Sequence, residues 1–284
     1  MEKIWRIIDV INWGNDYFCK HNIESPRLLI ELLICDVLQI ERFELYLNFE
    51  KPFKAMELAT LNAYVKRAAA NEPFQYILGK TPFLDVTIAV NPSVLIPRPE
   101  TEELASLILT RLQERTDIID VLDIGTGSGC LAISLAKEFP EKNIYGIDVS
   151  IDALKTAKEN NEINQTNAKF KIMNILNDIP QKKFDCIVSN PPYIAQNIYE
   201  NLDKNVLDYE PKVSLTDCSD GLTFYKRFAE IFPNILSADG FFALEYGDNM
   251  QNDIAVLFEK NFELEIIKDF ANKERFIFGS FKKY

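Results

Sequence analysis

Ile118-Ile119-Asp120-Val121-Leu122-Asp123-Ile124-Gly125-Thr126-Gly127-Ser128-Gly129-Cys130 is the stretch that decides the fold. An apolar run ends in a glycine-rich turn, and Leu131–Glu138 then reads as a helix. The stretch therefore predicts a strand feeding a helix through a turn where a ligand can approach the backbone closely. A dinucleotide fingerprint would place its third glycine at position 130, but Cys130 stands there and glycine comes one residue early. That spacing favours a different nucleotide-like ligand, and a sulfonium amino-acid nucleoside suits it because it has no pyrophosphate to cradle.

Downstream, strands and helices keep alternating. Asn143–Asp148 reads as strand, Ile151–Asn161 as helix, Phe170–Ile172 and Phe184–Ser189 as strands, and Leu222–Leu236 as helix. Phe241–Glu245 (strand), Asp253–Lys260 (helix) and the strands Leu264–Lys268 and Phe276–Phe281 complete the series. Such alternation predicts a doubly wound α/β sheet with ligands at the carboxyl ends of its strands. The last two strands have no helix between them and are expected to pair antiparallel at an edge. Asp148 ends the second strand, where a carboxylate can accept hydrogen bonds from both hydroxyls of a ribose. Ser150 competes with it for the helix cap.

Upstream the texture differs. Residues 1–72 read as a small helical bundle, with apolar stripes at Trp5, Ile8 and Ile11, at Leu28, Leu29, Leu32 and Leu33, and at Met56, Leu58, Leu61, Tyr64 and Val65. Ser25-Pro26 predicts a helix start with Ser25 as cap. Residues 73–102 are rich in proline around the alternating run Leu84–Val90, which predicts a linker holding strand between turns. Thr101 is available to cap the helix that follows. The expected organisation is a bundle at 1–72, a hairpin-bearing linker at 73–102 and a sheet domain at 103–284.

The 43 acidic against 31 basic side chains give a formal charge of -12, which disfavours direct nucleic-acid binding through phosphate neutralisation. Five cysteines never spaced C-x-x-C suit reduced thiols in a cytoplasm and read as ordinary core residues. No metal site is expected. The single histidine, His21, leaves little for a Ser-His or Cys-His nucleophile. Charge inside the opening apolar run defeats a signal-peptide reading, and no stretch is apolar for long enough to span a bilayer. A soluble cytoplasmic protein, monomeric and without a membrane partner, is the expectation.

Directly after the apolar strand Phe184–Ser189 stands Asn190-Pro191-Pro192-Tyr193. Two prolines cannot donate backbone hydrogen bonds, and they stiffen the chain so that carbonyls serve as acceptors beside the asparagine side-chain oxygen. Such a site holds an NH2 group, orients its nitrogen toward a methyl donor and stacks the tyrosine ring on the planar group. An exocyclic adenine amine fits these acceptors as well as an amide does, if the base is flipped out. N6-adenine methylation of DNA or RNA is thus the alternative reading, and the acidic composition argues against it.

With this tetrapeptide in place, the chain resembles the class I S-adenosylmethionine-dependent methyltransferases with their Rossmann-like sheet, and within them the PrmC/HemK group. The resemblance rests on Ser25–Leu29, Glu72–Gly79, Leu95–Glu102, the glycine turn, Asn190–Tyr193, Glu210-Pro211, Asp220–Leu222 and Asp269–Arg275. It implies methylation of the glutamine side-chain nitrogen in the Gly-Gly-Gln motif of peptide chain release factors, which would be the protein partners, with S-adenosylhomocysteine as product. By position it implies that Gly125, Thr126, Gly127, Ser128, Gly129, Asp148 and Asn190 meet the cofactor. Asn190, Pro191, Pro192 and Tyr193 would hold the amide, with Asn190, Pro191 and Tyr193 carrying the catalysis. At the adenine-flanking position, where the family often has an acidic residue and an aromatic, this chain has Asn174-Ile175. An altered cofactor affinity is expected there.

Overall fold

The apolar spacing of the N-terminal stretch folds as five helices, α1 (Ile7–Lys20), α2 (Pro26–Leu38), α3 (Arg42–Leu47), α4 (Ala55–Ala69) and α5 (Phe74–Leu78). The computed structural model describes residues 4–283. It forms two compact units, one ending at Gly79 and the other beginning at Lys80. The core of the first unit gathers Phe18, Ile30, Leu33, Ile34, Leu61 and Val65. In α2 the buried face is Ile30, Leu33 and Ile34, while Leu28 of the expected stripe is 41% exposed. A helix apolar nearly all round leaves its inward face to packing. Met56 is likewise exposed, not core. Pro26 takes the first helical position as expected, but Ser25 makes no cap bond because its backbone is left-handed (φ 48°), and capping requires an extended residue there. Buried Glu31 is satisfied by Arg27, Arg42 and Tyr46 at 2.7–3.0 Å.

The second unit opens with a hairpin, β1 (Lys80–Phe83) and β2 (Val86–Ala89). The strand read from Leu84 begins two residues later, because Leu84 lies in the hairpin turn with a left-handed backbone (φ 47°). After α6 (Pro99–Glu114) come β3 (Asp120–Ile124), α7 (Cys130–Glu138), β4 (Asn143–Asp148), α8 (Ile151–Ile163), β5 (Lys169–Ile172) and β6 (Phe184–Ser189). The short helices α9 (Gln196–Tyr199) and α10 (Lys204–Tyr209), which carry no apolar periodicity to announce them, precede α11 (Thr223–Ile235). The chain ends with β7 (Leu236–Glu245), α12 (Gln251–Phe258), β8 (Phe262–Lys268) and β9 (Glu274–Phe281). Asn160 of α8 clamps the hairpin's open edge, accepting from Ala89 N at 2.7 Å and donating to Ala89 O at 3.0 Å. Its amide also reaches Ser128 O at 2.9 Å, so hairpin and glycine turn share one anchor.

Sheet order is β5-β4-β3-β6-β7-β9-β8, parallel from β5 to β7, with β9 antiparallel to both neighbours. The chain runs outward from β3 to β5 and returns to β6 on the other side of β3, which opens a crevice at that switch point. Ile124 lies level with Ile147 on one side and Ser189 on the other, and Ser189 is level with Leu244. The next residues, Asp148, Gly125, Asn190 and Glu245, thus form one row across four strand ends. Beneath it, Phe228, Phe232, Phe242, Phe258 and Phe262 make an aromatic core, with Phe228 and Phe232 stacked at 5.0 Å. Of the cysteines expected inside, Cys130 and Cys186 are buried and Cys35 half-buried, but Cys19 and Cys218 are exposed, because both lie at the polar ends of loops or helices. No helix among the described residues is long and apolar enough to cross a membrane.

Gly129 sits at φ 82°, and a Cβ there would come within 2.9 Å of Ile133 and 3.2 Å of Ala157. Backbone strain of about 1–2 kcal/mol adds to this crowding. Gly129→Ala is expected to lower unfolding free energy by about 2 kcal/mol or more in urea titrations, and an unchanged midpoint would show that the turn relaxes freely.

Candidate active site

The glycine turn is shaped from beneath by carboxylates. Thr126 Oγ1 donates to Asp123 Oδ2 at 2.6 Å, and Gly127 N donates to Asp148 Oδ2 at 2.9 Å. Asp148 Oδ1 accepts from Ser150 N at 2.8 Å, while Ser150 itself caps α8 through a bond from Ala153 N. Asp148 therefore ties the turn to the start of α8, and each of its oxygens keeps a lone pair for a further donor. Burial raises the Asp148 carboxyl above its ordinary range, against the pull of the Ser150 and Gly127 N–H groups. Asp123 is driven up to about 7, chiefly by burial, with Thr126 opposing and Asp148 adding repulsion.

A cavity of about 280 Å³ occupies the crevice, walled by Gly125, Gly127, Asp148, Asn174, Ile175, Asn190, Pro191 and Pro192 together with Ile147 and Leu176. The residues named for a cofactor thus converge, with three exceptions. Thr126, Ser128 and Gly129 do not line the cavity: Thr126 and Ser128 are buried, held by Asp123 and by Asn160 of α8, and Gly129 is the N-cap of α7. Asn174 Oδ1 accepts from Leu176 N at 3.1 Å and its own N–H donates to Asp178 Oδ2 at 3.0 Å, which holds the segment after β5 in a tight turn. Ile175 is buried, with its carbonyl held by Arg227 Nε at 2.9 Å.

On the far side of Asn190 and Pro191 lies a second cavity of about 150 Å³, walled also by Leu95, Arg98, Tyr193 and Ser214. Asn190 and Pro191, with Leu95 and Ser214, are common to both cavities, Pro192 faces the first and Tyr193 the second. Asn190 Nδ2 donates to Thr101 Oγ1 at 2.9 Å. Its Oδ1 makes no hydrogen bond to any described residue. Thr101 Oγ1 in turn donates to Glu245 Oε2 at 2.8 Å, and Tyr193 OH donates to Glu245 Oε1 at 3.3 Å. Thr101 was expected to cap α6; that position falls to Arg98, and Thr101 points inward from the first turn. Gly247 leaves room for the Tyr193 ring, since a Cβ there would lie 3.0 Å from Tyr193 Cδ2.

Thr101 and Glu245 are the residues that reading the sequence missed. They are 89 and 55 positions from Asn190, so no local motif links them; the only available signal was a glutamate ending an otherwise apolar strand. Burial drives Glu245 up to about 7, opposed by the Thr101 hydrogen bond and raised further by Glu100. Tyr193 is also raised, mainly by burial and then by Glu245. Glu210, from a stretch the resemblance singled out, accepts from Arg98 at 2.5 Å and from Ile96 N at 3.3 Å, so it braces the second cavity's wall. His21 packs on Tyr17 in the first unit. Among the described residues no cluster of His, Cys, Asp or Glu is placed to hold a metal.

The chain is similar to known proteins over both of its units. The family model described as methyltransferase small domain matches residues 98–208, and that of the PrmC N-terminal domain matches residues 9–79. The release factor glutamine methyltransferase of Geobacter sulfurreducens is 36% identical over 258 residues, covering 91% of this chain and 90% of that protein. The enzyme of that name from Flavobacterium psychrophilum is 38% identical over 251 residues, covering 86% and 88%. A crystal structure of a methyltransferase from Pyrococcus furiosus shares the fold, with a TM-score of 0.51 at 19% identity over 80% of this chain and 98% of that one.

The raised Asp123 carboxyl has a measurable consequence. Between pH 5.5 and 7 the folded protein keeps a proton on Asp123 that the unfolded chain, with its ordinary carboxyl, has lost, so this residue's contribution to stability falls as pH rises. Asp123→Asn removes that dependence. Urea unfolding of both proteins is expected to show wild type losing about 2 kcal/mol relative to the variant between pH 5.5 and 8. Parallel profiles would mean that Asp123 is ionised throughout.

Proposed function

Because the chain belongs to the release factor glutamine methyltransferase family, we propose that it transfers a methyl group from S-adenosylmethionine to the side-chain nitrogen of the glutamine in the Gly-Gly-Gln motif of release factors. One observation carries the site assignment: Asn190, its Oδ1 unbonded to any described residue, stands in the wall shared by the two cavities. A group held there from the second cavity presents itself to the first.

The first cavity suits the cofactor chemically. Asp148 keeps lone pairs for two ribose hydroxyls, and Ile147, Ile175 and Leu176 offer flat apolar surface to an adenine, Ile175 standing where the family often has an aromatic. When bound, S-adenosylmethionine supplies an electrophilic methyl on a positively charged sulfur. Asn190 Oδ1 and the Pro191 carbonyl accept the two amide hydrogens of the glutamine, which turns its nitrogen toward the first cavity and polarises both N–H bonds. Tyr193 lies against the amide plane from the second cavity. As the nitrogen–carbon bond forms, the carbon–sulfur bond breaks and its electron pair stays on sulfur, giving S-adenosylhomocysteine. The methylated nitrogen, now strongly acidic, releases one proton to solvent. Catalysis is positioning and electrostatic stabilisation, and it needs no metal or dedicated base. Gly125 and Gly127 bring the backbone of the turn to the cofactor, while Thr126, Ser128 and Gly129 fix its shape.

The first unit recognises the release factor. It exposes Phe43 and Leu47 one helical turn apart on α3, 65% and 76% accessible, an apolar pair suited to a protein surface. Changing both to serine is expected to raise KM for the release factor about fivefold or more, with cofactor affinity unchanged; an unaltered KM would clear α3 of this role.

Two substitutions separate the halves of the site. Asp148→Ala is expected to weaken cofactor binding by about 1.5–3 kcal/mol in calorimetry, while Asn190→Ala leaves that binding in place and lowers single-turnover methyl transfer roughly 10²-fold. Transfer at near wild-type rate by folded Asn190→Ala would show that other groups hold the amide.

A further inference from the structure

An asparagine amide is almost symmetric in shape but not in chemistry, since one end accepts hydrogen bonds and the other donates them. If the NH2 end of Asn190 faced the second cavity, it would confront the NH2 of a substrate amide. Something must choose between the two orientations. Asn190 Nδ2 meets Thr101 Oγ1 at 2.9 Å, and that oxygen lies 2.8 Å from Glu245 Oε2. A hydroxyl has one hydrogen to give. An ionised carboxylate can only accept, so Thr101 must donate to Glu245 and can only accept from Asn190. We propose that Thr101 and Glu245 are positioning residues that set the orientation of the Asn190 amide, with ionised Glu245 directing Oδ1 to the substrate and protonated Glu245 reversing the chain of hydrogen bonds. This inference rests on the reading that Asn190 Oδ1 holds the substrate amide.

The placement supports such a role. Thr101 is 3% exposed and Glu245 1% exposed, which leaves water little access to replace either bond. Thr101 stands in the first turn of α6, Glu245 ends β7, and Asn190 follows β6, so three elements hold the chain rigidly. The Glu245 backbone is fixed as well, its carbonyl accepting from Tyr225 OH at 2.7 Å. The groups facing the Glu245 carboxyl are Thr101 and Glu100 from α6, Tyr193 from the loop after β6, and Arg275 from β9, whose guanidinium is engaged by Asp248, Asp269 and the Tyr246 carbonyl. Burial outweighs the Thr101 bond, the nearby Tyr193 hydroxyl and Arg275 enough to place the carboxyl at about 7. The relay therefore switches within an accessible pH range: the productive orientation is held above it and lost as pH falls.

The test is single-turnover methylation of a release factor at saturating S-adenosylmethionine from pH 5.5 to 8.5, using full-length wild type, Thr101→Val, Thr101→Ser and Glu245→Gln, each checked for folding by circular dichroism. Wild type is expected to slow as pH falls through about 7. Thr101→Val and Glu245→Gln are expected to be roughly tenfold slower at pH 8 and to lose that acid limb, whereas Thr101→Ser keeps both rate and limb because it keeps the hydroxyl. Asp123 titrates alike in all four proteins, so the comparison isolates Glu245. A Thr101→Val enzyme with the wild-type rate or the wild-type acid limb would overturn the relay, as would a Thr101→Ser enzyme that behaves like the valine variant. If Thr101→Val does not fold, Glu245→Gln with an unchanged limb decides against it alone. Failure of the underlying reading looks different, because it shows as undiminished transfer by Asn190→Ala.

Discussion

Everything in the catalytic unit depends on the ladder that β3 makes on both sides. Because Ile124 is held level with Ile147 and with Ser189, the residues that follow these strands emerge in one plane. A parallel ladder leaves no freedom here: slipping any one strand by a residue would turn its last side chain to the opposite face. Asp148, Gly125, Asn190 and Glu245 come from segments far apart in sequence, and only this register brings them to a common rim. The switch in chain direction at β3 then opens the crevice between them.

That rim concentrates acidity away from water. Asp123, Asp148 and Glu245 are all raised by burial, yet each has a neutral donor to steady it: Thr126, the Gly127 and Ser150 backbone, and Thr101. Neutral donors stabilise a carboxylate without cancelling its charge. A site so built presents free lone pairs, and its cavity is lined by no lysine or arginine, which suits a cationic sulfonium donor better than a phosphate-bearing nucleotide. The same donors fix geometry, since each bond also ties a loop to a strand end. Electrostatics and shape are thus set by the same few contacts.

The supporting loops follow similar logic. Glu210 joins the segment before α6 to the loop after α10 through Arg98 and Ile96, and Asp217 gathers the N–H groups of Ser219, Gly221 and Thr223 ahead of α11. In these loops hydrogen-bonded carboxylates, Glu210 buried and Asp217 half-buried, tie distant backbone groups together.

The class of the fold, the strands Asn143–Asp148 and Phe184–Ser189 to the residue, the glycine turn and the Asn190–Tyr193 tetrapeptide are legible in the chain alone. These features are local: periodicity, glycine and proline act within a few residues, and a reader of the chain can find them there. Resemblance to a known family added the reaction. What the chain could not show was settled by contacts between distant segments. Packing chose the buried face of α2 and left Leu28 outside, because an almost wholly apolar helix has no periodicity to announce its inner side; Met56, in the first turn of α4, stays exposed as well. It gave Leu84 to the hairpin turn and moved Thr101 from a helix cap to the interior. It assigned Thr126, Ser128 and Gly129 to the turn's own architecture, since a glycine-rich motif does not say which of its residues meet a cavity. Above all it joined Asn190 to Thr101 and Glu245, a hydrogen-bonded line whose members lie on three separate elements and become neighbours only when the sheet closes its register.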